Sequence, residues 1–544
     1  MMIQFINKIT FKRVFGFGLT ALVLFSNSGC IDNYTDYNTN PNRATVLAMS
    51  KDNLLTGSYF AQMQKNVFVL EQLPDYGASY YQTIQNLAGD IYSGYMGACG
   101  TWYGGSNNTT YDLSVPWKNN GFDRAFVGVM SAWNLLNKEA IKLQQPQVAA
   151  VSTIVKVEAM HRTTDMYGPL PYLNFGKIGS SSNYDGQKEI YDSFFEELNN
   201  AIAVLTNYNQ KDPLGKVLEE YDYIFAGDVQ NWIKFANTLK LRLAMRIVYA
   251  DEAKAKQMAE EAVNHPVGLI ANTNEVVSVK HSENLSYRNM LYVIGQGEFN
   301  DIRMGATIDS YMNGYKDPRI SSYFKPSSAG KYTGIRTGIN IIREKYAEKA
   351  PFSDLNISSS TDIIWMNPSE SYFLRAEGAL RGWNMGGTAQ KFYEEGVRTS
   401  FAFTGASNVD SYLKDNTSVP SDYTDPSNSG NSVAIGSPLI GKITIQWNES
   451  DPFERKLERI ITQKWLAIFP DGQEAWSEFR RTGYPKVFPV VINRSGGKIN
   501  TEKQIRRIPY PISEYKLNRE VVEKAITLLG GEDHGGTRLW WDKK

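Results

Sequence analysis

Apolar residues recur along this chain at helical spacing. Phe194, Leu198, Ile202 and Leu205 fall three or four positions apart, as do Trp232, Phe235, Leu239, Leu243 and Ile247. Phe373, Ala376, Leu380 and Trp383 form another stripe, and Phe453, Leu457, Ile460, Ile461, Trp465 and Ile468 one more. Each stripe is a helix face that needs a partner. The pattern predicts helices in close succession: 122–143 then 148–165, 231–249 then 252–264, and 370–383 then 388–401. Consecutive helices on short links pack as antiparallel hairpins, as in tetratricopeptide-like stacks. No strict 34-residue period is visible, so the repeat is loose. The fold class expected is mainly α, one large helical unit with elaborate loops rather than separable domains.

Between the helical blocks the character changes. Residues 90–120 are rich in Gly, Tyr, Asn and Trp, with Trp102, Tyr103, the Gly104-Gly105 pair and Asn107-Asn108. Residues 284–300 carry Tyr287, Arg288, Asn289 and Tyr292. Residues 353–361 and 416–438 are Ser-, Asn- and Pro-rich. Long ordered loops in a globular protein are more often functional than idle.

The N-terminus speaks to location. Lys8, Lys12 and Arg13 precede an apolar run from Val14 to Phe25, which closes on Ser26, Ser28, Gly29 and Cys30. Such a run is too short to span a bilayer and reads as a secretory signal over residues 1–29. A cysteine directly after Ser-Gly marks lipoprotein processing, in which the Cys30 thiol is acylated and becomes the mature N-terminus. Asn27 stands at the −3 position, where Leu is usual. Each buried acyl methylene contributes about 0.8 kcal/mol, and stable anchoring takes more than one chain, which a diacylglyceryl group supplies. The polar, turn-rich residues 30–45 suit a tether between lipid and fold. No later segment holds the ~18 consecutive apolar residues of a spanning helix.

Lys plus Arg and Asp plus Glu both number 57, so nothing steers the chain toward nucleic acid or an anionic surface. Two cysteines exclude a disulfide scaffold once Cys30 carries lipid, and Cys99 reads as a small buried residue. The 32 Tyr, 25 Phe and 11 Trp are unusual. In an uncharged extracytoplasmic protein, that much Tyr and Trp hints at recognition of neutral, hydrogen-bonding ligands.

Catalytic patterns are weak. Glu474 and Glu478 share one helix face at i, i+4, but a glycosidase needs two carboxyl groups facing each other across a cleft, and one helix face offers no opposing wall. They read as a solvated face flanking Trp476. His161, His265, His281 and His534 are scattered, without HExxH or a Cys/His cluster, so no zinc site or His-dependent triad is indicated. A GxxxxGK[ST] phosphate loop is absent. No cofactor is implied; a structural calcium on loop carboxylates and carbonyls stays open.

Several phrases, in order along the chain, carry a resemblance: Asn38-Thr39-Asn40-Pro41-Asn42, Asp165-Met166-Tyr167-Gly168-Pro169-Leu170-Pro171, Asp317-Pro318-Arg319, Glu370 to Gly382, Ile461 to Phe469, Glu474 to Pro485, Arg507-Ile508-Pro509-Tyr510-Pro511 and Trp540-Trp541-Asp542. With them the chain resembles the SusD/RagB family of Bacteroidetes outer-membrane lipoproteins. The resemblance implies a helical fold with tetratricopeptide-like hairpins, displayed on the cell exterior as the lid of a TonB-dependent SusC-like barrel. It also implies capture of oligosaccharides, or less often peptides, for import. Asp32 and Asp36 partly match the acidic surface-export signal of such lipoproteins, which leaves an inward-facing location open.

Most of these phrases read as scaffold, including Trp465, Trp476, Arg480 and Arg481, with Asp317-Pro318-Arg319 a turn held by a salt bridge. Binding is expected instead at loop aromatics. Sugar C-H faces pack on Trp or Tyr, while the hydroxyl rim needs amides, guanidinium groups and carboxylates. Trp102, Tyr103, Tyr287, Arg288, Asn289 and Tyr292 supply that chemistry, in the two regions where family members place ligand-binding aromatics. Trp365, just before a helix, is a further candidate, or else a hydrophobic staple. A lipidated glycan-processing enzyme and a helical adaptor that binds only protein are the competing hypotheses.

Overall fold

The computed structural model describes residues 53–72, 77–177, 183–282, 285–348 and 351–544. The signal segment 1–29, Cys30, the tether, Asp32, Asp36 and residues 38–42 lie outside the described residues. Each helical stripe becomes a helix. Ser131–Lys142 (α1) continues from Lys118–Arg124 through a π-helical segment, Ala125–Met130, so the helix predicted from 122 begins earlier and carries a π distortion. Pro146–Tyr167 (α2) starts on a proline, whose missing N–H costs nothing at a first helical position. Gln187–Lys211 (α3) buries Phe194, Leu198, Ile202 and Leu205 and packs on α2.

Side-chain caps set the next starts. Asp228 accepts from the Asn231 N–H at 2.9 Å to open Val229–Arg246 (α4), and Asp251 accepts from Lys254 N–H at 3.0 Å to open Glu252–Val263 (α5). Asn367 caps Pro368–Leu380 (α6) and Thr388 caps Ala389–Thr404 (α7), which ends on Gly405 in the left-handed region. In α7, Gly396 lies against the Phe373 ring of α6; a Cβ there would sit 2.8 Å from it, so glycine sets how closely this pair packs. The pairs α1–α2, α4–α5 and α6–α7 are the expected hairpins, and α2 also packs closely on α3. Phe453–Ala467 (α8) packs on α6 and α7, and Gly472–Thr482 (α9) follows it. Residues 55–544 form one compact unit, and none of the described helices is long and apolar enough to cross a membrane.

Two small antiparallel ribbons tie distant loops together. Met96–Ala98 (β1) pairs with Ile302–Met304 (β3), and Val277–Val279 (β2) with Ile363–Met366 (β4). Cys99 follows β1 and is buried as expected; burial pushes its thiol up to about 12, so it is inert as a nucleophile.

The centre of the bundle departs from the sequence expectation. Glu474 and Glu478 are not a solvated face: both are buried on α9 and engaged by cations of α4, of α8 and of α9 itself. Arg246 of α4 donates to Glu474, to Glu478 at 2.7 Å and to Asp165 of α2 at 3.2 Å. Lys464 of α8 lies 3.3 Å from Glu474 and 3.4 Å from Glu478. Arg481 forks onto Glu377 of α6 at 2.7 and 2.6 Å and reaches Glu478 at 2.6 Å. Arg242 forks onto Glu370 at 2.9 and 2.6 Å. Burial opposes the charged forms, but Arg246, Lys464 and Arg242 outweigh it and hold Glu474 well below the usual carboxylate range; Arg481 and Arg381 do the same for Glu377.

The scaffold expectations hold. Trp465 and Trp476 are buried, their indole N–H groups donating to Ser93 O and Ile505 O. Arg480 stacks 3.6 Å above Trp476. Arg319 forks onto Asp317 at 2.9 and 2.6 Å, but this pair is buried and also bonded to Ser400, Tyr412 and Gln463, so the small contribution of a surface salt bridge does not describe it.

Candidate functional site: an aromatic platform beside a polar cleft

After β1 the backbone makes a tight turn through Trp102–Gly105, with Tyr103, Gly104 and Gly105 at φ of 52°, 62° and 81°. Left-handed conformations suit the two glycines and strain Tyr103. Local hydrogen bonds hold the turn: Asn107 Nδ2 donates to Trp102 O at 2.8 Å and Thr110 Oγ1 to Gly105 O at 2.7 Å. The Trp102 ring rests over Gly100, where a Cβ would come within 2.4 Å of it. The outcome is an aromatic trio. Trp117 meets Trp102 edge-on at 5.9 Å and Tyr103 edge-on at 5.5 Å, and Tyr103 is 55% exposed.

A cleft of about 260 Å³ adjoins this platform, lined by Asp112, Ser114, Lys118, Arg494, Lys498 and His534 among others. Arg494 joins the two, donating to Ser106 Oγ at 3.0 Å from its guanidinium and to Thr110 O at 2.7 Å from its backbone. Asp533 at the cleft is held by Arg507 at 2.5 Å and by the Tyr515 hydroxyl at 2.7 Å. Burial lowers the Lys118 pKa. Chemically, the arrangement offers ring faces for apolar C-H surface and hydrogen-bonding groups beside them for hydroxyls. Among the described residues no group of three His, Cys, Asp or Glu side chains is placed to hold a metal ion.

Trp102 and Tyr103 are therefore brought to one partly exposed surface. The second region is not. Tyr287 is buried, stacked 3.9 Å from His281, and its hydroxyl donates to Val279 O at 2.7 Å. Asn289 is spent as a helix cap: its Oδ1 accepts from Leu291 N–H at 2.9 Å and its Nδ2 donates to Thr361 O at 3.0 Å. Arg288 pairs with Glu71 at 3.1 Å and with Glu298. Tyr292 packs, half-buried, against the core. Trp365 lies on β4 at 0% exposure with its ring 6.4 Å from Phe235. It presents no face to a ligand, and it is core rather than a staple at the helix start.

Sequence reasoning missed Trp117 and Arg494. Trp117 sits inside the same Gly- and Asn-rich stretch, so its composition was a signal. Arg494 bonds to Ser106 across 388 positions, and nothing local announces that.

The comparisons agree with this architecture. The family model for Susd and RagB outer membrane lipoproteins matches residues 36–542. A chitin-binding SusD homolog from Flavobacterium johnsoniae is 42% identical with a TM-score of 0.84, the match covering 90% of this chain and 99% of that one. SusD homologs from Bacteroides uniformis (39% identity, TM-score 0.82) and a SusD-like protein from Bacteroides thetaiotaomicron (32%, 0.82) match over the same 90% of this chain and 99% of theirs. No match was found among curated proteins. With its mainly helical fold, its paired helices and a family match over nearly its whole length, the chain belongs to the SusD/RagB family of outer membrane lipoproteins.

Proposed function

We propose that this protein is a cell-surface lipoprotein that captures oligosaccharides and passes them to a TonB-dependent SusC-like barrel, binding them without turnover. One observation carries the reading: a partly exposed aromatic trio, Trp102, Tyr103 and Trp117, held by a hydrogen-bonded turn beside a polar cleft. The chitin-binding relative supports a glycan as ligand. A glycan-array screen of the purified full chain in detergent identifies the sugar, and incubation with it separates binding from processing, since an enzyme returns products and a binding protein returns the sugar unchanged.

Trp102→Ala should then raise the dissociation constant for that sugar about tenfold to a hundredfold, or roughly 1–3 kcal/mol, the scale of one lost aromatic contact. Calorimetry beside a thermal melt reads both quantities. Unchanged affinity removes Trp102 from the site, and a large drop in melting temperature makes it a packing residue.

Anchoring is proposed at Cys30, after cleavage of residues 1–29. Cys30→Ala should release the chain into the soluble fraction of cells lacking the barrel partner. A variant still pelleting with membranes there contradicts lipid anchoring. Protease added to intact cells should degrade the wild-type chain if it faces outward.

A further inference from the structure

A second cleft, about 460 Å³, shares no lining residue with the one beside the platform. It lies between Leu54–Val67, the short helix Gly77–Tyr81 and the segment around Tyr221 and Tyr223. Two cations line it, Lys65 and Arg124, and no carboxylate is among its described lining residues. Each cation rests on an aromatic ring: the Arg124 guanidinium lies 3.6 Å above Tyr80, and Lys65 Nζ lies 5.6 Å from the Tyr223 centroid. Ring contacts of this kind orient a cation without neutralising it. Of the acidic residues near these cations in sequence, Asp123 adjoins Arg124 and interacts with it electrostatically without forming an ion pair, and Glu71 is already engaged, accepting from Ala78 N–H at 2.6 Å and pairing with Arg288 at 3.1 Å.

Neither Lys65 nor Arg124 forms an ion pair among the described residues. Other cations of this protein meet carboxylates, as Lys156 with Glu197 and Lys234 with Glu275, or backbone carbonyls, as Arg336, Arg375 and Arg480. Burial also lowers the Lys65 pKa, the signature of a partly desolvated ammonium with no counter-charge. A surface lysine without a partner is ordinary. Two cations without an ion pair on one concave, polar wall offer an anion a place to dock, because a partly desolvated charge such as Lys65 is costly until an anion meets it.

We infer that this cleft is a second ligand site, specific for an acidic saccharide, whose carboxylate is held between Arg124 and Lys65. The guanidinium offers a fork of N–H donors to a planar carboxylate, and the ammonium adds a point charge. The Tyr80 and Tyr223 hydroxyls and the Gln62 amide supply partners for ring hydroxyls. A volume of about 460 Å³ lies within the ~300–1,000 Å³ of small-ligand pockets, which suits one or two sugar rings better than a protein segment.

Calorimetric titration of the full chain with digalacturonate, with the corresponding neutral galactose disaccharide as control, tests this. Digalacturonate should bind at least tenfold more tightly than the neutral sugar. Lys65→Gln and Arg124→Gln, each checked by thermal melt, should each weaken it severalfold or more, whereas Trp102→Ala should leave it unchanged. Equal binding of the two disaccharides, or acid-sugar affinity indifferent to both cation variants, overturns the proposal. Tighter binding of triglutamate than of digalacturonate replaces the sugar with an acidic peptide and also overturns it. Because the Trp102→Ala arm reads the platform separately, failure at this cleft is distinguishable from failure of the platform.

Discussion

Replacing Arg246 with Met should destabilise the protein by about 3–5 kcal/mol, the cost of stranding buried carboxylates whose partner has been removed. Arg246 is fully buried and serves Glu474, Glu478 and Asp165 at once. Lys464 still bridges Glu370, Glu474 and Glu478, and Arg481 still reaches Glu478, but neither replaces the three contacts of the Arg246 guanidinium. Adding Glu478→Gln to Arg246→Met should recover part of the loss, since removing both members of a buried pair costs less than removing one. Denaturant midpoints of the three proteins check this; a single variant within about 1 kcal/mol of wild type would mean that the network is not a stability element.

The same network fixes the acid response. Glu474, Glu478 and Glu377 titrate below their ordinary values in the folded protein despite burial, because the arginines and Lys464 favour the charged forms. In the unfolded chain each returns to about 4.3. Between those values the unfolded state binds more protons, so stability is complete above about pH 5 and falls as pH drops below about 4.3 toward the folded values. Melting temperature measured downward from pH 6 should therefore decline steeply, and Arg246→Met should flatten the decline.

Trp365→Ala should cost about 3–5 kcal/mol as well, the range for truncating a buried aromatic ring, with sugar affinity unchanged in whatever fraction stays folded. Its ring is fully buried and neighbours Phe235. Trp365→Phe should cost far less, because the indole Nε1 has no hydrogen-bond partner and its removal strands nothing. Melts of the two variants beside calorimetry decide it. Lost affinity at full stability would return Trp365 to the binding surface.

The helices were legible because their signal is local. A stripe such as Phe194, Leu198, Ile202 and Leu205 is complete within one turn-to-turn repeat, and caps such as Asp228, Asp251 and Thr388 act on the N–H three residues on. Trp102 and Tyr103 were legible in the same way, since flanking glycines and asparagines mark a turn that presents its rings. Residues 287–292 show where such reasoning stops. Tyr, Arg and Asn have the same chemistry in a binding loop as in a packed one, and only the positions of Val279 O, Glu71 and Thr361 O show that theirs is used internally.

Glu474 and Glu478 make the contrast complete. By itself the sequence determined that they share a helix face, because that follows from 3.6 residues per turn. Whether the face meets water or cations was decided by the tertiary structure alone. Arg246 reaches them across 228 and 232 positions, a distance over which periodicity carries no information and only the fold, which brings the end of α4 to α9, does.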